Sequence, residues 1–284
     1  MAQAESIIDP PRQKLIIEKR RSRFDMNWSE IWEYRELGYV LIWRDITVRY
    51  KQTAIGIAWV VLQPLIAMLI FTAIFGKMAK VPSDGVWYPV FALTALLPWM
   101  YFSQAVSRAG ESVVANGRMV GKIYFPRLWL PLATVVSPLV DFALSLVLLF
   151  GLLIYAGMPL TWKVLTLPAF ILLAMFTAMG LCFFTSALHV KYRDVGHAIP
   201  FVIQIWMYLT PIVYPVSLVP DQWKWLYGLN PMVGVVEGFR WALLLGRTFP
   251  DPVMMMESIV VLFALIAAGL VYFRKMERQF ADII

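Results

Sequence analysis

Apolar positions in this chain come in long runs and not in alternation. Runs that approach the roughly 18–20 residues needed to cross a bilayer predict spanning helices at 55–75, 87–106, 128–155, 164–188 and 254–273, and a sixth run after Pro200 is interrupted. Prolines inside these runs include Pro64, Pro98, Pro131 with Pro138, and the series Pro200, Pro211, Pro215 and Pro220. Membrane helices accept such kinks where neighbouring groups satisfy the freed carbonyls. The stretch 198–246 reads neither as an ordinary span nor as soluble sequence. Irregular backbone survives at membrane depth only when buried in protein or wetted, so this stretch predicts backbone that lines a path.

Ahead of the first run the pattern changes. Residues 28–51 mix Trp32, Tyr34, Tyr39, Trp43 and Tyr50 with Arg35, Arg44, Arg49 and Lys51. Aromatic rings suit the headgroup layer and the cations suit its phosphates, so an interfacial amphipathic helix is expected at 31–54. Residues 1–30, with Lys19, Arg20, Arg21 and Arg23, read as a basic cytosolic tail, and 55–284 as the membrane domain.

Composition hardens the class. The chain is 60% hydrophobic and only 15% charged, too little polar sequence to coat a soluble fold of this many helices. The expected fold is therefore all-α and polytopic. With the N-terminus inside, nineteen Lys and Arg residues fall on the cytosolic side and six outside. That asymmetry predicts both termini in the cytosol, an even number of passes (six), and an outward-facing region around 219–252. No cleavable signal precedes the first run, so its first helix is expected to direct insertion. The single cysteine, Cys182, permits no disulfide within the chain.

Catalytic patterns are missing. The nearest approach to a phosphate-binding loop, Asn116 to Ile123, has Asn116 in place of the first glycine and Ile123 in place of the magnesium-binding Ser or Thr. The chain is not expected to hydrolyse ATP. His189 and His197 have only Asp194 nearby, too few ligands for a metal, and no serine sits in a G-x-S-x-G turn. Asp141 is the one acid deep in a regular run. It reads equally as a functional intramembrane carboxylate or as one paired within the bundle. Trp59, Trp99, Tyr101, Trp206, Tyr208 and Tyr214 lie near prolines and are expected to line a path. Their faces can stack on sugar C–H faces and give a sliding grip without deep minima, although most aromatics in such a chain form interfacial belts.

Four ordered runs carry a family resemblance. They are Arg44 to Thr53 followed by Gly56, Trp59, Gln63 and Pro64; N-G-R-M-V-G-K-I-Y-F-P-R at 116–127; Lys191-Tyr192-Arg193-Asp194; and Leu229-Asn230-Pro231-Met232 followed by Glu237, Gly238, Arg240 and Trp241. Together they resemble the membrane subunits of ABC-2 type exporters of lipid-linked polysaccharide, the O-antigen, capsule and teichoic-acid group, with the O-antigen type first. The resemblance implies a homodimer in the bacterial inner membrane, docked on two copies of a separate ATPase that holds the ATP and magnesium. No metal, cofactor or nucleic acid is implied for this chain. A coupling helix at about 110–125, with Asn116, Gly117, Arg118, Gly121, Lys122 and Arg193, would meet the ATPase. Arg35, Arg44, Arg49 and Lys51 would meet a lipid pyrophosphate at the lateral gate. Re-entrant helices at about 221–245, with Asn230, Pro231, Glu237 and Arg240, would form an outer gate between the fifth and sixth spans. The cargo would be a polyprenyl-pyrophosphate-linked glycan. Glu237 and Arg240 lie one helical turn apart, and as a simple ion pair they would tolerate exchange of their charges. Two alternatives are an ABC-2 permease for a small lipid or drug, and a membrane enzyme of lipid-linked sugar metabolism. The latter predicts convergent carboxylates or histidines, of which the sequence has only scattered ones.

Overall fold

The computed structural model describes residues 28–51 and 56–280. The expected tail up to residue 27 and the join at 52–55 lie outside the described residues. Every regular element among the described residues is helical.

Helices α1 (Trp28–Glu33) and α2 (Arg35–Lys51) occupy the stretch expected as an interfacial arm, interrupted at Tyr34. The amphipathic expectation needs revision. Apolar and charged residues alternate around the whole of α2, and only Gly38 and Leu41 are buried. Trp32, Tyr39, Trp43 and Val48 stand exposed. The arm therefore docks through a small, close footprint. A Cβ on Gly38 would lie 2.3 Å from the Trp129 ring, so the absence of a side chain there is what lets α2 approach.

Five helical stretches are long and apolar enough to cross a membrane. They are α3 (Ala58–Phe71), extended by a π-helical turn over Thr72–Met78; α4 (Tyr88–Ala115); α6 (Trp129–Val136) running into α7 (Pro138–Tyr155); α8 (Leu167–Lys191), entered through a 3₁₀ turn over Trp162–Thr166; and α12 (Pro252–Glu277). Helix α4 is the hub. It is buried along most of its length and packs against α3, α6, α7 and α8, and against α9 (Val195–Leu209) and α11 (Pro231–Leu243). Its 28 residues reach well past the expected end at 106, so Arg108 belongs to the helix and not to a loop.

The fifth run departs further from expectation. Pro200 does not break it. Helix α9 runs through Pro200 and stops at Leu209, before Pro211. Pro200 lies within the second turn, where its missing N–H removes one bond near an already unpaired helix start. The 15 residues of α9 extend about 22 Å, short of a bilayer core of about 30 Å. Irregular backbone and two 3₁₀ turns follow, then α10 (Lys224–Gly228) and α11. Helix α11 is short but almost wholly buried among α4, α8 and α12.

Two apolar clusters hold these pieces. The larger is built on α4, α8 and α11, with Phe91, Phe102, Leu149 and Phe239 fully buried. The smaller lies beneath the arm and joins Leu41, Val120, Phe125, Phe273 and Phe280. Helices α8 and α12 meet through glycines: a Cβ on Gly269 would lie 2.2 Å from the Gly180 carbonyl oxygen. Small residues at such crossings let membrane helices gain van der Waals contact where no hydrophobic drive between them exists.

Candidate functional site

A cavity of about 710 Å³ opens between α3, α4 and α7, with Arg49 and Tyr50 of the arm in its wall. One wall is aromatic and apolar, from Trp59, Phe71, Trp99 and Tyr101. The other is polar. Ser103, Gln104, Ser107 and Arg108 recur at i, i+1, i+4 and i+5 along α4, which places them on one face of the helix. A second cavity, of about 440 Å³, lies between α2, α4 and α6 and is lined by Arg44, Asp45, Glu111 and Asn116 among others. Arg49 and Arg108 border both.

Asp141 sits in the first turn of α7 and faces the larger cavity. It forms an ion pair with Arg49 and accepts a hydrogen bond from the Tyr50 hydroxyl, and both partners come from the arm. The Arg49 and Asp141 side chains are each 13% exposed. A carboxylate this dry demands a partner, since several kcal/mol of hydration are lost on burial. Of the two readings of Asp141, the structure displays the paired one, and the pair spans two elements instead of closing within one helix. Burial pushes the Tyr50 phenol up to about 12, reinforced by the hydrogen bond to Asp141 and the carboxylate's charge.

The four cations expected at the gate do not converge. Arg49 turns into the cavity. Arg44 is shared between Asp45, at 2.9 Å, and the Asn116 side-chain oxygen, also at 2.9 Å. Arg35 folds back onto Trp32, donating to its carbonyl oxygen at 3.3 Å. Lys51 is exposed and lines neither cavity.

The residues expected to meet an ATPase are placed by α5 (Gly117–Lys122), a single short helix, while residues 110–115 continue α4. Val120 is its only buried residue. Arg118, Gly121 and Lys122 are exposed and Gly117 is half-buried. Asn116 joins the two helices. Its side-chain nitrogen donates to the Ser112 carbonyl at 2.7 Å and its oxygen accepts from Arg44. A second link runs from the Tyr124 hydroxyl to the Glu30 carboxylate at 2.8 Å. The arm and the α5 region are thus pinned together twice. Arg193 is exposed in the turn between α8 and α9.

The four residues expected at a gate between the last two runs do converge. Asn230 caps α11, its side-chain oxygen accepting from the Met232 N–H at 3.1 Å, and its nitrogen donates to the Thr210 hydroxyl at 2.9 Å. Pro231 takes the first helical position, where no N–H is required. Arg240, 0% exposed, pairs with Glu237 at 2.9 Å. It also donates to the Ile212 carbonyl at 3.0 Å and the Tyr214 carbonyl at 3.4 Å, and lies 3.8 Å over the Phe91 ring. One guanidinium thus satisfies the backbone freed where α9 ends.

Of the six aromatics expected to line a path, Trp59, Trp99 and Tyr101 border the larger cavity, and the Tyr101 hydroxyl donates to the Val135 carbonyl at 3.0 Å. Trp206 packs edge-on against Phe102 instead. Tyr208 is exposed, and Tyr214 bonds the Tyr227 hydroxyl at 2.9 Å, between the end of α9 and α10. Sequence reasoning missed the part played by Arg108 and the Ser103, Gln104 and Ser107 stripe, having assigned Arg108 to a loop. The i, i+4 polar spacing directly after the second apolar run was the available signal. No group of three or more His, Cys, Asp or Glu side chains able to hold a metal occurs among the described residues.

With this geometry in hand, comparison with known proteins is specific. A family model described as ABC-2 type transporter matches residues 36–244. An O-antigen export system permease protein RfbA from Myxococcus xanthus is 29% identical over 259 residues, covering 90% of this chain and 98% of that protein. A protein of the same name from Klebsiella pneumoniae is 27% identical over 88% of this chain and 95% of its own length. The polysialic acid transport protein KpsM of Escherichia coli is 25% identical over 72% of this chain and 80% of its own.

Proposed function

This chain belongs to the ABC-2 type transporter family, and on that premise we propose that it is the membrane subunit of an exporter that moves a polyprenyl-pyrophosphate-linked polysaccharide, of O-antigen type, from the cytosol across the bacterial inner membrane. It is a transporter subunit and not an enzyme, and ATP is hydrolysed by a separate subunit. The names of the similar proteins support polysaccharide as cargo.

The observation that carries the reading is the larger cavity. A polar stripe on α4 faces aromatic walls, and the cavity meets a basic groove beneath it through Arg49 and Arg108. Hydroxyl-rich sugars need both hydrogen-bonding groups and flat rings, with no single deep site to stall the chain. In this reading two copies of the chain enclose the path, and each contributes six passes with both termini in the cytosol. The α9 to α11 segment dips back from the outer side as a gate held by Arg240 and Asn230. Helix α5 meets the ATPase, which holds ATP and magnesium. The two pins between arm and α5 carry its motion to the lateral entry.

Deleting the gene and following the glycan tests this. Surface polysaccharide should vanish while its lipid-linked form accumulates in the cytosolic leaflet, with both restored by the wild-type gene. Intact surface polysaccharide together with new sensitivity to a lipophilic drug would refute the reading and favour a small-substrate permease.

A further inference from the structure

We propose that a small cavity beside Glu237 is a subsite for one neutral sugar residue, at the end of the helical bundle away from α5. The inference rests on the export reading above, in which that end faces away from the cytosol. It names a place, separate from the two cavities already described, where the glycan is held.

The site is built from four connections that the fold ties together. Asp84, just ahead of α4, pairs with Arg247, just after α11, at 2.9 Å. Ser217, in the irregular stretch after α9, donates to the Asp84 carboxylate at 2.9 Å. Lys163, in the 3₁₀ turn before α8, donates to the Arg247 carbonyl at 3.0 Å. The 28 residues of α4 separate this junction from α5 by about 42 Å. Beside the junction lies a cavity of about 170 Å³, room for one sugar ring and not for a lipid chain or a run of sugars.

The charges on its wall select the ligand class. Lys224 and Arg247 supply two cations, Glu237 and Asp251 two carboxylates. An anion entering the cavity would meet the carboxylates, and a metal ion would meet the cations. An apolar ligand would strip water from all four groups without replacing it. A neutral polyol suits them, because each hydroxyl both donates and accepts. Both carboxylates have an oxygen to spare. Glu237 gives Oε1 to Arg240, while its Oε2 is neither buried nor partnered among the described residues. Asp251 gives Oδ1 to the Val253 N–H at the start of α12 and has no second partner among the described residues. The Thr248 hydroxyl, also in the wall, is likewise without one. Lys224 is steadied at the rim by Asp221 at 2.6 Å. Phe249, 49% exposed and held edge-on to Trp241 at 5.0 Å, adds an open ring for the C–H face of a sugar. Acceptors, donors and a flat apolar surface thus surround a space of one ring, and the tied connections fix them before a ligand arrives.

The test uses the complex of this chain with its ATPase in lipid nanodiscs, and saturation-transfer NMR with the methyl α-pyranosides of mannose, glucose and galactose as probes. At least one should bind in the millimolar range, with the corresponding methyl uronide about tenfold weaker because its carboxylate meets Glu237 and Asp251. Asp251→Asn should weaken the bound glycoside about tenfold by loss of one charge-assisted bond; asparagine still caps α12, so the fold is kept. Thr248→Val should weaken it about fivefold, the effect of one neutral bond, and it stands on its own should the Asp251 variant fail to assemble. No binding of any of the three glycosides overturns the subsite, as does affinity unchanged in both variants. Tighter binding of phosphoethanolamine than of any glycoside assigns the balanced charges to a zwitterionic headgroup and overturns the sugar assignment. The gene deletion described above separates the two readings. Surface glycan lost on deletion, with no glycoside bound, removes the subsite and keeps the export reading. A glycoside bound through Asp251 and Thr248, with surface glycan intact after deletion, keeps the subsite and removes the export reading.

Discussion

Replacing Arg240 by Met gives the clearest test of how the segment between α9 and α11 is held. The side chain is fully buried, so Met fills much of its volume without its charge. Glu237 then keeps a carboxylate 11% exposed with its partner gone, a broken buried pair of about 3–5 kcal/mol. The Ile212 and Tyr214 carbonyls each lose a donor, at about 1 kcal/mol apiece on the low side. The total is roughly 5–7 kcal/mol. At about 2 °C per kcal/mol for a chain of this size, the unfolding midpoint should fall by about 10 °C or more. Exchanging the charges, Glu237→Arg with Arg240→Glu, separates two accounts. A simple ion pair would survive the exchange, as the sequence alone suggested. The structure predicts failure, because a carboxylate at 240 would meet two carbonyl oxygens and the negative face of the Phe91 ring. Thermal unfolding of the purified protein, followed by intrinsic fluorescence, and surface polysaccharide in a complemented deletion strain read both effects. A charge-exchanged variant with wild-type midpoint and normal export would falsify the backbone-anchoring role.

Three further outcomes follow from other contacts. Lys122→Glu on the exposed face of α5 should leave membrane insertion intact while stopping export, measured by membrane fractionation against surface glycan; normal export refutes the docking assignment. Gly269→Leu should lower the unfolding midpoint by about 2–6 °C, since its side chain would have to enter the Gly180 backbone and overpacking typically costs about 1–3 kcal/mol. Tyr50 ionises in the unfolded chain near 10 and in the folded chain near 12, so the unfolded state sheds its proton first and stability falls as pH rises through that window. Tyr50→Phe should flatten this part of the alkaline stability profile; an unaltered profile refutes it.

Local features were legible before the fold was known. The Asn230-Pro231 pair is an N-cap and a first-turn proline, and both properties belong to the residues themselves. The Glu237–Arg240 pair needed only helical spacing. The five long spans followed from hydropathy, although their ends did not: α4 continues past its apolar part and packs there on α9, where a Cβ on Gly110 would lie 2.8 Å from Ile199. Pro200 was misread as a break, since a proline's effect depends on how far it lies from a helix start. The gate cations looked alike in sequence, but each found a different partner.

Hydrophobicity sums residue by residue along the chain, so the sequence by itself determined that this is a helical membrane protein and roughly where its five long apolar stretches lie. Its motifs likewise determined the family. Pairing is different, because it depends on which helices meet and at what depth. Asp141 reaches Arg49 and Tyr50 from about ninety positions away. Arg240 reaches carbonyls 28 and 26 residues back. Only the tertiary structure decided these, through close approaches such as Gly38 on Trp129 and Gly269 on Gly180 that set the positions of whole helices. In a dry interior a charge must go where a partner is, and only packing brings the partner there.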